Sequence, residues 1–233
     1  MVGSNFVLTF DFLLWEVTAE LSAMGRHLDL IESSLPRVIR AELDAAWTSL
    51  VEAGFSDDES EVEAVMQPLR FELEVLHPRY VRSSFLVMLA SMMEAALTDI
   101  GDSWADFVDH APFSDLPKRR DEGFIGRFAR FFREELTTPL NIGEDELERM
   151  ELLYGLRNKL AHNGGRPLSE EDRRKFERWG REVPGITYEL NFLSFSEDFV
   201  RHTFDVVRDS LSRLVTDVRV LRDSHARESS PQA

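Results

Sequence analysis

Val200, Phe204, Val207, Leu211, Leu214, Val218 and Leu221 recur at spacings of four and three, which gives the last long segment one continuous apolar face. An apolar seam of that period suits an α-helix laid against another helix; a strand would alternate at every residue. Ser196 followed by Asp198 supplies a start signal for this helix. Nearly every long segment upstream has the same helical period, so the chain is expected to be all-α, a bundle of helices.

Pro78 fits the first turn of a second helix, which runs through Phe85, Leu86, Leu89, Met93, Ala96, Leu97 and Ile100 to Gly101. Its apolar residues surround the axis, which predicts burial on more than one side and a central place. The stretch from about Asp11 to Ala53 reads as helix with a break at Pro36. Gly54 to Glu61 reads as an acidic loop before a further segment to Leu76. Glu122 to Leu136 is helical, its Phe124, Ile125, Phe128, Phe131 and Phe132 assigned to the core, and Thr137-Thr138-Pro139 ends it. Glu144 opens a helix whose Asp145, Glu146 and Glu148 sit where the helix dipole favours negative charge; Asn163-Gly164-Gly165 closes it. A short charged helix follows. The alternation Ile186-Thr187-Tyr188-Glu189-Leu190-Asn191-Phe192 then reads as one strand or half of a short β-hairpin, near 186–195. The expected organisation is an N-terminal helical extension over 1–70, a bundle over 71–222 and a flexible tail over 223–233.

With 43% hydrophobic residues in 233, the chain can bury a sizeable core. It has no cysteine, so disulfides and thiolate metal sites are excluded and its chemistry must come from nitrogen and oxygen groups. No stretch approaches the roughly 20 consecutive apolar residues of a membrane span, and the N-terminus lacks a basic secretory start. The expectation is a soluble, cytoplasmic protein with no membrane partner. A formal charge of −16 opposes nonspecific attraction to nucleic acid. The charge is uneven: residues 1–77 carry fifteen acidic side chains against Arg26, Arg37, Arg40 and Arg70. A polyanion should therefore meet the middle or later part of the chain, and the acidic N-terminal region suits a basic partner protein.

One string, Arg157-Asn158-Lys159-Leu160-Ala161-His162, collects the groups needed to cut a phosphodiester without metal. On a helical wheel Leu147, Met150, Leu153, Leu156 and Leu160 form a core stripe. Glu151, Gly155, Asn158 and His162 line a second, more polar face. Gly155 there suggests close approach by another backbone or a ligand. An imidazole in the last helical turn can take or give a proton near neutral pH, and a guanidinium can hold phosphate oxygens. His162 and Arg157 take those roles, with Arg157 long enough to reach toward His162; Asn158 orients the imidazole or the ribose. One histidine is short of an acid and a base, so a homodimer pairing two motifs across a twofold axis is expected. The same residues read structurally as a helix terminus, with Arg157 paired to a carboxylate. Glu94, set in the apolar Ser91-Met92-Met93-Glu94-Ala95-Ala96, needs exposure or a partner and is expected either to pair with Arg157 or to support the site by orienting Arg157 for phosphate. Lys159, Arg127, Arg130 and Arg166 are candidate RNA contacts. Glu74-x-x-His77 has the spacing of half a di-iron site but lacks a second pair, so neither a metal nor any other cofactor is expected.

The Arg-Asn-x-x-x-His string, followed by Asn-Gly, an extended segment and a final amphipathic helix, resembles the HEPN superfamily (higher eukaryotes and prokaryotes nucleotide-binding). The helix holding Arg82-Ser83-Ser84-Phe85 and Met92-Met93-Glu94 is similar to the one that precedes the motif helix in prokaryotic members. The resemblance covers about residues 70–222, more in helix order than in identity. It implies a HEPN-like helical bundle acting as a dimeric, metal-independent endoribonuclease, a toxin or anti-phage defence effector, with Arg157 and His162 catalytic and Asn158 supporting. It also implies an antitoxin or effector protein as a possible partner, and noncatalytic interaction or nucleotide binding as the alternative. Some members carry a tyrosine two residues after the histidine that is modified by their antitoxin; Gly164 stands there in this chain.

Overall fold

The computed structural model describes residues 3–55, 59–138 and 141–228. In chain order these form α1 (Gly3–Glu52), α2 (Glu59–Arg70), α3 (His77–Phe107), α4 (Phe124–Arg130), α5 (Glu144–Asn163), α6 (Glu170–Glu182), the strands β1 (Ile186–Glu189) and β2 (Phe192–Phe195), and α7 (Glu197–Glu228). The fold is thus all-α with one small hairpin.

Helix α3 is central. Phe85, Leu86, Leu89, Ala90, Met93, Ala96, Leu97 and Ile100 are all buried along it, and α1, α5 and α7 pack against it. It continues upstream without interruption: a π-helical turn at Phe71–Leu76 joins it to α2, and the His77 N–H bonds to the Glu72 carbonyl five residues back. That wider turn lies just before Pro78, which has no N–H to keep the ordinary ladder. The run Ser60–Phe107 is long and apolar enough to cross a membrane by length and composition, but half of its most apolar window is buried inside the bundle.

The apolar seam of α7 closes the core from the other side, with Val200, Phe204, Val207, Leu211, Leu214 and Val218 buried. Ser196 caps it, its Oγ accepting the Phe199 N–H at 3.1 Å. The helix runs on to Glu228, so residues 223–228 are helical where a flexible tail was expected; 229–233 lie outside the described residues.

Two expected boundaries differ. Helix α1 passes through Pro36. Just ahead of the proline, Ser33 and Ser34 turn their hydroxyls onto the Leu30 and Ile31 carbonyls. Leu14, Val17, Leu21, Met24, Leu28 and Leu35, which α1 buries, all precede the proline, and the helix continues past it with the loss of one N–H. The acidic loop is shorter than expected because α2 already begins at Glu59; residues 56–58 lie outside the described residues, as does Pro139. Residues 70 and 71, between the expected extension and bundle, fall inside the continuous run from α2 to α3.

Ion pairs lash α1 to the rest. Arg82 on α3 grips Glu32 through two bonds of 2.9 and 2.8 Å and also donates to the Phe195 carbonyl. The Glu32 side chain is 2% exposed. Arg201 holds Asp29 at 2.7 Å and Arg222 holds Asp11 at 2.6 Å, both from α7. Helix α4 and the π-helical turn after it, Phe131–Glu135, carry the phenylalanine cluster, with Phe113 packed edge-on against Phe124 and Phe128. These rings belong to the core, as their spacing predicts.

Candidate functional site

The motif helix α5 has the bounds read from the sequence. Gly143 precedes it, with its N–H bonded to Glu146 Oε2 at 2.8 Å, and Gly164 ends it in the left-handed conformation at φ 57°. Met150, Leu153, Leu156 and Leu160 are buried and Leu147 is partly so. The polar face departs from expectation in its roles. Glu151 bonds the Ile125 N–H at 3.1 Å and so caps α4. A Cβ on the neighbouring Gly123 would lie 1.8 Å from that carboxylate, which explains the glycine there. A Cβ on Gly155 would sit 3.9 Å from the Trp179 indole, in ordinary contact, and no backbone approaches closely enough to require a glycine there.

Arg157 and Glu94 meet as expected, Nη2 to Oε2 at 3.4 Å, each side chain 30% exposed. Arg157 Nη1 also donates to Asn158 Oδ1 at 3.2 Å. Asn158 therefore holds the guanidinium where the imidazole or a ribose was expected. Tyr154 completes the group: its hydroxyl donates to Glu94 Oε1 at 3.4 Å, its ring lies 5.9 Å from the Arg157 guanidinium, and the ring stacks on Phe124. Burial, and then the charge of Glu94, push the Tyr154 phenol above its ordinary pKa. Tyr154 was missed in the sequence although it lies one turn before Arg157 and Asn158, where a helical wheel could have found it.

His162 is exposed in the last turn of α5, and among the described residues it makes no hydrogen bond or ion pair. Arg157 points back to Tyr154 and Glu94, so the guanidinium and the imidazole do not converge within one chain. Along the helix axis they start about 7.5 Å apart, five residues at about 1.5 Å each.

A second residue absent from the sequence reading fixes the end of α5. Arg79 is 3% exposed; its Nε donates to the Leu193 carbonyl at 3.1 Å and its Nη2 to the Gly164 carbonyl. The guanidinium carbon lies 4.3 Å from the centre of the Phe192 ring and 4.9 Å from that of Tyr80. Burial lowers its pKa. Its charge is answered by one carbonyl in the hairpin and one at the C-terminus of α5, where the dipole is negative. The Leu193 N–H in turn bonds the Gly165 carbonyl at 3.0 Å, so hairpin, Arg79 and motif terminus form one clamp.

The expected RNA-contacting cations are mostly committed inside the fold. Arg130 is 8% exposed and bound to Glu122 at 2.7 Å and to the Pro117 carbonyl, which removes it from any RNA surface. Arg127 lies over the Phe113 ring at 4.9 Å. Lys159 holds Asp172 at 2.6 Å at the start of α6. Arg166 alone of the four is exposed. Glu74 and His77 lie at the π-helical turn and the start of α3, and no group of three or more metal-ligating side chains occurs among the described residues. A cavity of about 730 Å³ near the start of α5 holds Arg149 and His202, but Asp145, Glu146, Glu148 and Glu182 ring it and suit a phosphate poorly.

No family model, no curated protein and no solved structure matches the chain.

Proposed function

We propose that this chain is a metal-independent endoribonuclease of the HEPN type, acting in the cytoplasm as a homodimer in a toxin or anti-phage defence role. The observation that supports it most is the state of the motif: His162 is exposed and unpartnered in the last turn of α5, and Arg157 is held by an exchangeable partner rather than buried. An ion pair this open to water is worth about 0–1 kcal/mol. Charge-assisted bonds from guanidinium to phosphate are worth about 1.5–3 kcal/mol, so a phosphate can draw Arg157 away from Glu94.

Neutral His162 takes the proton of a ribose 2′-hydroxyl. The oxygen attacks phosphorus, the bond to the 5′ oxygen breaks, and the same histidine of a second copy, in its protonated form, gives its proton to that leaving oxygen. Arg157 neutralises the non-bridging oxygens as charge builds on them. The products are a 2′,3′-cyclic phosphate and a 5′-hydroxyl. In an assay on a mixed-sequence RNA, His162→Ala and Arg157→Ala should each lower cleavage by about 100-fold or more. Full activity in the His162 variant, or equal cutting of an all-2′-deoxy strand, refutes the scheme.

A second reading is a noncatalytic helical module for protein interaction or nucleotide binding, its acidic N-terminal region docking a basic antitoxin or effector. The internal commitment of Lys159, Arg127 and Arg130 favours it, because little positive charge remains near the motif to hold RNA. Under that reading Arg157→Ala changes assembly and no RNA is cut.

A further inference from the structure

The strip of α3 that carries Glu94 continues toward the N-terminus as Ser91, Val87, Ser84 and Tyr80, at steps of three and four. The strip of α5 that carries Arg157 continues the other way as Ala161 and Gly164. Glu94 meets Arg157 at one end, and at the other the strips share a pocket of about 370 Å³, lined by Tyr80, Ser83, Ser84, Met88, Ala161 and Gly164 among others, so they run antiparallel. On α5 the pocket begins at Leu160, about 4.5 Å along the axis beyond Arg157, and it flanks the turn that carries His162.

Its lining specifies a kind of occupant. Val87, Met88, Leu160 and Ala161 make apolar walls, and the one charged residue that lines it is Arg79. Tyr80 is 54% exposed and rests on the Arg79 guanidinium, which holds the ring as a firm edge of the pocket. Ser83 Oγ is buried without a hydrogen-bond partner and Ser84 is exposed beside it. Arg79 spends two of its five N–H groups on carbonyls. Apolar faces with hydroxyl and N–H groups at the edge match a flat, neutral ring with polar rim atoms, and a phosphate or an aliphatic chain would leave one or the other unused. The volume sits at the small end of the range of about 300–1,000 Å³ typical of ligand sites.

We propose that this pocket receives a nucleobase of the RNA strand whose phosphate lies at Arg157 and His162, adjoining the cleaved bond; the proposal rests on the ribonuclease reading. The base leaves its stack, lies against Tyr80 and Met88, and turns its edge to Ser83 and Ser84. Base recognition thereby fixes which phosphate reaches the motif, and Tyr80 and Ser84 are positioning residues for the strand.

The test uses the full chain and a short RNA with one cleavage site, with a single abasic nucleotide stepped through each position, alongside 2′-O-methyl copies whose binding is read by fluorescence anisotropy. One position beside the cleaved bond should show kcat/KM about tenfold lower when its base is missing, the size expected for loss of one stacked base. Ser84→Leu, which fills the pocket, and Tyr80→Ala should slow cleavage of the intact strand and erase that sensitivity, with circular dichroism unchanged. Abasic strands all cut within about twofold of the intact one by the wild-type chain, or a variant that keeps full abasic sensitivity, overturn the proposal and leave the nuclease standing. If nothing is cut but binding of the 2′-O-methyl strand shows the same abasic and variant dependence, the nuclease reading falls and the pocket remains. Neither cutting nor binding overturns both.

Discussion

Replacing Arg79 by methionine tests the clamp on the motif terminus. Methionine keeps a flexible stem against Phe192 but has no donors. The Leu193 carbonyl, whose bond to Arg79 is buried, loses its donor at a cost of about 1–3 kcal/mol; the Gly164 carbonyl, partly open to water, loses about 0.5–1.5 kcal/mol. Loss of the guanidinium from the face of Phe192 adds about 0.5–2 kcal/mol. Against this, the variant no longer desolvates a cation, which returns about 1–3 kcal/mol. Taken at the middle of each range, the net is a destabilisation of about 2 kcal/mol, and in a chain of this size Tm should fall by about 4–8 °C. Thermal unfolding by circular dichroism reads the total. Hydrogen exchange reads the location: the Gly164 and Gly165 amides, bonded to the Leu160 and Lys159 carbonyls, should exchange first. A Tm within about 1 °C of the wild type, with those amides still protected, would show that the clamp carries no load.

Three other outcomes are expected. Glu94→Gln removes the charge that helps raise the Tyr154 phenol while leaving its burial, so absorbance titration should move the phenol part of the way down toward its ordinary value; an unmoved titration refutes the contact. Arg130, by its hydrogen bonds, holds the Glu122 carboxyl down from 4.5 to about 2. A carboxyl depressed in the folded state stabilises the fold above its unfolded value and loses that contribution as pH falls through the folded one. Glu122→Gln should therefore be less stable at pH 7 and show a flatter fall in stability between 4.5 and 2; a wild-type slope in that variant refutes the assignment. Leu190 sits at φ 51° in the hairpin turn beside Asn191 at φ 64°, a conformation that favours asparagine or glycine. Leu190→Asn should raise stability by roughly 0.5–1 kcal/mol, and a lower Tm would refute the turn geometry.

Legibility in the sequence followed the reach of the forces involved. The seam of α7, the buried helix from Phe85 to Ile100 and the whole extent of α5 were readable because periodicity and caps are local signals. The pairing of Glu94 with Arg157 was readable because a carboxylate among apolar residues needs a partner. Pro36 misled because a proline in a long helix costs only the one N–H it lacks, and the helix continues past it. The turn at Leu190-Asn191 was hidden because leucine is a poor marker of positive φ, so strand pairing of Ile186 with Phe195 overrides local preference. The alternation of 186–192 accordingly ran across the turn, and the short hairpin expected near 186–195 is the reading that the structure has. Arg79 gave no sign of its role, since its partners are carbonyls 85 and 114 residues away. Lys159 and Arg130 looked like free surface charge because Asp172 and Glu122 face them only once the chain has folded.

The salt links from α7 to α1 join residues separated by 172 and 211 positions. A ribosome adding about 5–20 residues per second needs roughly 10–40 seconds to make the later partner after the earlier one has emerged. Throughout that interval Leu14, Val17, Leu21 and Met24 have no α7 to cover them. That face of the newborn helix stays uncovered by α7 until the chain is nearly finished, and shortening the chain before Val200 should send it to proteolysis rather than leave a smaller folded protein.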